Sequence, residues 1–149
     1  REQRVGKANG GNGGVEGHVV IIGGDATAQR LAERLHERGV PTLIVVPGPP
    51  DWTPPASTHV VYGSPDHLEI LDEASYRKAR LVVSTLAEPG LNEHLLQACS
   101  GVVPFACRAE SPGLARHLEA QGAAFTIVPS QEAAGIVVEA VLARRPTQA

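Results

Sequence analysis

Residues able to do chemistry gather at a few points of this chain. Gly23-Gly24-Asp25-Ala26 follows an apolar run and precedes a helical stripe, where a glycine turn that cradles phosphate would sit. Ser84 and Thr85 close a second apolar run, with Glu88 and Asn92 just after them. Hydroxyls and an amide so placed suit hydrogen bonds to an adenosine or another small ligand, or equally the capping of the next helix. Asp25 and Glu110 could offer two carboxylates to a divalent cation, at a spacing that specifies none. The six histidines are scattered, none at H-x-H or H-x-x-x-H spacing, and no Gly-x-Ser-x-Gly elbow exists. Asp66 beside His67 reads as a helix cap, because adjacent helical side chains diverge too far for an acid–base pair. Cys99 and Cys107 fit no metal or redox spacing and read as buried free thiols in a reducing cytosol. No catalytic residue and no metal site is therefore expected.

The glycine turn fails as a conventional dinucleotide site. The fingerprint G-x-G-x-x-G falls on Gly23-Gly24-Asp25-Ala26-Thr27-Ala28, and only its first glycine is present. Asp25 stands where the backbone should approach the pyrophosphate. Two like charges at that range repel by about 4 kcal/mol at an effective dielectric near 20. Asp25 can also cap the helix itself, leaving its N-terminus no need of an anion. The acid that should hold the ribose at the end of the second strand is missing, since that strand ends Val45-Val46-Pro47.

The elements that position these residues follow from periodicity. His18 to Ile22 is a continuous apolar run, as expected of a strand buried on both faces. Ala28, Leu31, Ala32 and Leu35 form the stripe of a helix from about Ala26 to Arg38, with Asp25 as N-cap and Gly39 at its C-terminal end. Further strands are expected at Thr42–Val46, His59–Tyr62, Ala79–Ser84, Val102–Cys107 and Ala124–Val128. Pro47 to Ser57 holds five prolines and a glycine, which makes it a stiff loop; its Trp52 reads as packed against that loop rather than as a docking contact. Helices are expected after Asp66, with Leu68, Leu71 and Ala74 inward; through Leu91, Leu95, Ala98 and Cys99; and from Ser111 to about Gln121. Six strands alternating with helices predict an α/β fold with a doubly wound parallel sheet.

The last helix, about Ser130 to Arg144, is apolar nearly all round: Ala133, Ala134, Ile136, Val137, Val138, Ala140, Val141 and Leu142. Such a helix must be covered on more than one side, and its own sheet offers only one. A second copy of the chain is the simplest cover, with Ala133, Ile136, Val137, Ala140 and Val141 as the interface; a further piece of the same chain is the alternative.

The whole chain sets bounds. Its 149 residues suit one domain. A net charge of −3 with 3% aromatics argues against nucleic-acid binding. No apolar run reaches about 18 residues, and no signal peptide is evident. Residues 1–16, rich in Gly and Asn, read as a flexible linker or tail, 17–145 as the domain and 146–149 as a tail. The absence of methionine suggests a piece of a longer chain.

With these residues in place, His18 to Leu142 resembles the RCK family (regulator of K+ conductance, also TrkA-N or KTN domains). Gly17-His18-Val19-Val20-Ile21-Ile22-Gly23 looks like its opening strand. Tyr62-Gly63-Ser64-Pro65 is similar to its Gly-Asp turn, with Ser64 in place of the acid. Leu71-Asp72-Glu73-Ala74 through Ala79–Val83, Asn92 (with Pro89 where the family has Asp), Arg108 to Gly122 and Val128-Pro129 follow in order. The resemblance implies a Rossmann-like regulatory domain, not an enzyme, on the cytoplasmic side of a prokaryotic potassium channel. It would assemble as a dimer or ring and couple assembly or ligand state to conduction. A cation/proton antiporter or a peripheral Trk/Ktr-type subunit are alternative parents; a fragment of an NAD(P)-dependent oxidoreductase is the alternative of another class. Ala133–Leu142 looks like the family's crossover helix. Members that bind NAD or ATP keep three glycines, and degenerate loops answer to calcium or to no known nucleotide. The expectation is thus no resident cofactor; NAD, ATP, ADP or Ca2+ would use Gly23, Gly24, Asp25, Ala26, Ser84, Thr85 and Asn92.

Overall fold

The computed structural model describes residues 15–144. Most of the expected linker and all of the 146–149 tail lie outside the described residues. Six parallel strands form one sheet in the order β3-β2-β1-β4-β5-β6: β1 Val19–Ile22, β2 Thr42–Val46, β3 His59–Tyr62, β4 Leu81–Ser84, β5 Phe105–Arg108 and β6 Phe125–Ile127. The helices are α1 Ala26–Glu37, α2 Leu68–Glu73, α3 Pro89–Cys99, α4 Pro112–Ala120 and α5 Pro129–Ala143, with a 3-10 turn at Tyr76–Lys78. This is the expected Rossmann-like doubly wound sheet.

The apolar runs become the central strands because both faces of β1 and β2 are covered; every residue of the two strands is buried. β1 pairs with β2 on one side (Val19 opposite Thr42) and with β4 on the other (Val19 opposite Leu81). The chain winds outward to β3, then crosses back to β4, so the winding reverses beside β1. Right-handed crossovers then sort the helices. Residues of α2, α3 and α4, such as Leu71, Leu95, Cys99 and Leu118, pack on the face of Val20 and Ile22. The opposite face carries Ile21, Ile44, Val83 and Ala106, and α1 is the one helix whose buried residues join it, through Ala28 and Ala32. Between β2 and β3 the proline loop replaces a helix and lays Trp52 on that face.

Three local expectations need correction. β5 starts at Phe105, not Val102, because Pro104 has no N–H to give a neighbouring strand; only its carbonyl is used, accepting from Val82. Leu68 opens α2 half exposed rather than inward. Asp66 does not cap α2: His67 holds the N-cap position without a side-chain bond, and Asp66 instead accepts from the Ser64 hydroxyl.

α5 departs furthest from the expectation of one covered side. None of its residues is buried; Ile136 is 70% exposed, Val141 60% and Leu142 75%. On the neighbouring edge strand, Phe125 stands opposite Ala106 in register and is 46% exposed. The α1 face of the sheet is thus left open over β6.

Candidate functional site

At the carboxyl edge of β1 the backbone turns at Gly23 with φ +137°. A side chain there is strained and would have to displace Thr85, since a Cβ would run into its Oγ1. The first glycine of the expected loop is therefore fixed by packing against β4. Asp25 caps α1 as expected. Its Oδ1 accepts from the Ala28 N–H at 3.0 Å and from the Thr85 hydroxyl at 2.9 Å. The Arg108 guanidinium reaches in from the end of β5, with Nη1 3.9 Å from Asp25 Oδ2, while its Nε donates to Glu110 Oε2 at 2.7 Å. Asp25 and Glu110, considered as joint cation ligands, are bridged by Arg108 instead. Among the described residues no group of three or more His, Cys, Asp or Glu converges as a metal site.

The other polar candidates face the chain itself. Ser84 is buried and accepts from the Leu86 N–H at 3.2 Å. Asn92 donates to the carbonyls of Leu86 at 2.9 Å and Arg108 at 3.3 Å, tying the loop after β4 to the end of β5. Neither Ser84 nor Thr85 caps α3, whose N-cap position is Glu88. Ala26 is exposed on the first turn of α1.

Beside this cluster, over the winding reversal, opens a cleft of about 1120 Å³. A crevice outside the carboxyl ends of the strands, at the reversal of winding, is where ligands enter such sheets. It is lined by the ends of β1 and β2 with the glycine turn (Ile22, Gly23, Gly24, Val45), by the proline loop at Pro47–Pro50, and by Leu86, Glu88, Leu91 and His94 around the start of α3. Ser64, Pro65 and Asp66, after β3, complete the lining. The Ser64 hydroxyl, then the residue's own backbone N–H and nearby His67 and His94, hold the Asp66 carboxyl below the usual carboxylate range, against an opposing effect of desolvation. Trp52 Nε1 donates to the Gly24 carbonyl at 2.8 Å, fastening the proline loop to the glycine turn.

Of the residues singled out from sequence, Gly23 and Gly24 line the cleft. Asp25, Ala26 and Thr85 stand beside it, and Ser84 and Asn92 support it from within. Sequence reading missed Arg108 as the partner of Asp25, the Trp52 fastening, and Asp66 and His94 at the cleft. For Arg108, the last residue of β5, and Asp66, shortly after β3, the signal was a place at the carboxyl edge of the sheet. The two cysteines are buried free thiols as expected; burial pushes Cys99 up to about 12 and Cys107 to about 11.

The family model described as TrkA-N domain matches residues 19–129. Solved structures share the fold. The TrkA-N domain of the inner membrane protein YbaL from Escherichia coli is 16% identical, with a TM-score of 0.73 over 86% of this chain and 98% of that one. The Kef CTD of Shewanella denitrificans in its AMP-bound form is 19% identical, with a TM-score of 0.71 over 85% and 82%. The GsuK channel bound to NAD is 22% identical, with a TM-score of 0.66 over 78% of this chain but only 22% of the channel chain. No curated protein matches the sequence.

Proposed function

The chain belongs to the TrkA-N domain family, and we propose that it is a regulatory domain of a potassium channel or transporter, with no catalysis of its own. The observation that carries this reading is α5, an apolar helix of 15 residues with none buried. An exposed apolar helix of this kind asks for a partner surface, which a regulatory domain that works by assembly would supply. We infer that α5 seats on a second copy through Ala133, Ile136, Val137, Ala140 and Val141, against the open face around Phe125. Closed symmetric pairing would bury both helices at once. The copies would gate a prokaryotic potassium channel as a dimer or ring, attached on the cytoplasmic side of the membrane. Among the described residues no helix is long and apolar enough to cross a membrane, so the membrane part would lie elsewhere.

A transporter parent is the second reading, since the TrkA-N domain of YbaL and the Kef CTD share the fold as the GsuK channel does. An oxidoreductase reading draws no support from the site, where Ser84, Thr85 and Asn92 are bonded to the chain. A ligand would act by binding one assembled state more tightly than the other. NAD would have to lie against Asp25, so we infer that it is not the resident ligand. Sedimentation of the purified chain tests the assembly: a dimer or larger species at tens of micromolar is expected, and a monomer at every concentration would overturn the reading.

A further inference from the structure

The cleft and the Asp25 cluster together say what kind of ligand fits. A molecule lying along the cleft with a phosphate would place that phosphate over Gly23-Gly24, at the start of α1. In this chain the phosphate position is taken from within. The Asp25 carboxylate already receives the Ala28 N–H and the Thr85 hydroxyl and faces Arg108, the contacts that an anion would otherwise collect. Arg108 is also engaged by Glu110. Around the cleft stand two more carboxylates, Asp66 and Glu88, against one histidine, His94, and among the described residues lining it there is no Lys or Arg. An anionic ligand therefore meets carboxylates both beside the glycine turn and in the cleft lining, while Ile22, Val45, Leu86 and Leu91 offer apolar contact to a flat ring.

We propose that this cleft selects against phosphate and takes an uncharged nucleoside-sized molecule in preference to its phosphorylated form, with Asp25 as the residue that sets the preference. The Kef CTD and the GsuK channel, by contrast, were solved with the phosphate-bearing ligands AMP and NAD bound. The proposal rests on the regulatory reading only in taking the cleft for a ligand site.

The test compares adenosine with AMP at fixed ionic strength, by calorimetry and by the fluorescence of Trp52, the only tryptophan, which is bonded to the glycine turn. The wild-type chain should bind adenosine about tenfold or more tighter than AMP. D25N keeps a capping side chain but drops the charge, so it should fold. It should tighten AMP about five- to tenfold and leave adenosine within about twofold. Adding R108Q to D25N should cancel that gain, because the freed guanidinium supplies it. Tighter binding of AMP than of adenosine by the wild type would overturn the proposal. So would no adenosine binding up to millimolar, or a D25N chain whose AMP affinity is unchanged. Sedimentation of the same samples keeps this result separate from the assembly reading: a self-associating chain with no adenosine binding loses this proposal and keeps that one.

Discussion

The glycine turn and α5 solve opposite problems. At the turn, the groups that a ligand would be expected to satisfy are satisfied by the chain: Asp25 caps α1, Thr85 and Arg108 face Asp25, and Trp52 holds the Gly24 carbonyl. Along α5 nothing is satisfied by the chain, and large apolar side chains from Ile136 to Leu142 face outward. The turn resembles a binding site and behaves as structure; the helix resembles structure and leaves its apolar surface uncovered. A residue's place in a fold family thus says less about its role than whether its physical needs are already met.

That contrast can be broken at either end. The largest effect is expected at α5. I136D/V137D should weaken self-association by about a thousandfold or more, since each buried side chain of this size contributes roughly 1.5–3 kcal/mol. The same double variant should leave the unfolding of the sheet within about 0.5 kcal/mol, because both positions are exposed in the single chain. Sedimentation and denaturant unfolding read the two halves, and a large loss of sheet stability would show that α5 packs at home. At the turn, Gly23→Ala should destabilise the domain by about 2–4 kcal/mol, through the positive φ and the approach of Thr85. If urea unfolding moves by less than about 1 kcal/mol, the turn is looser than this contact implies. Asp25→Ala should cost about 1–2 kcal/mol for the lost cap and its second bond, with Asp25→Asn recovering most of it.

A smaller effect sharpens the comparison from a third place, away from both. His18, just before β1, is fully buried, with Nε2 2.9 Å from the Ala74 carbonyl and, among the described residues, no partner for Nδ1. Burial, with a smaller contribution from nearby His59, lowers its pKa below 6.5; the Ala74 bond opposes this in part. Between that lowered value and 6.5 the unfolded chain binds a proton that the folded chain refuses. Stability therefore rises with pH across this window and is lost as pH falls below about 6.5. His18→Gln should flatten that part of the stability–pH curve measured in urea; an unchanged slope would place the titration elsewhere.

Much of the fold was legible because its signals are local. Thr42–Val46 and His59–Tyr62 were bounded correctly, flanked as they are by Pro41, Pro47 and Gly63. Val102 and Val103 misled because apolar character alone does not make a strand where Pro104 interrupts the donors. Asp25 as a cap could be read from its type and place. Arg108 as its partner could not, because the contact joins the ends of β1 and β5 and depends on the strand order. The bond between Trp52 and Gly24 was hidden for the same reason, since it spans a loop whose path no periodicity encodes. The outward exposure of all of α5 was only half legible: composition showed that it needed cover, but not that its own sheet supplied so little.

The independence of α5 from the sheet has one more consequence. The core closes without it, so folding and the proposed association would be separate equilibria, joined only by how often two copies meet. Free in dilute solution, copies would pair weakly and exchange partners. Fixed beside one another on a single membrane assembly, they would experience a local concentration far above that of the surrounding solution, in the millimolar range for short flexible tethers. A contact too weak to outlast dilution would then be nearly always made, and yet stay cheap to undo whenever the tethers are pulled apart.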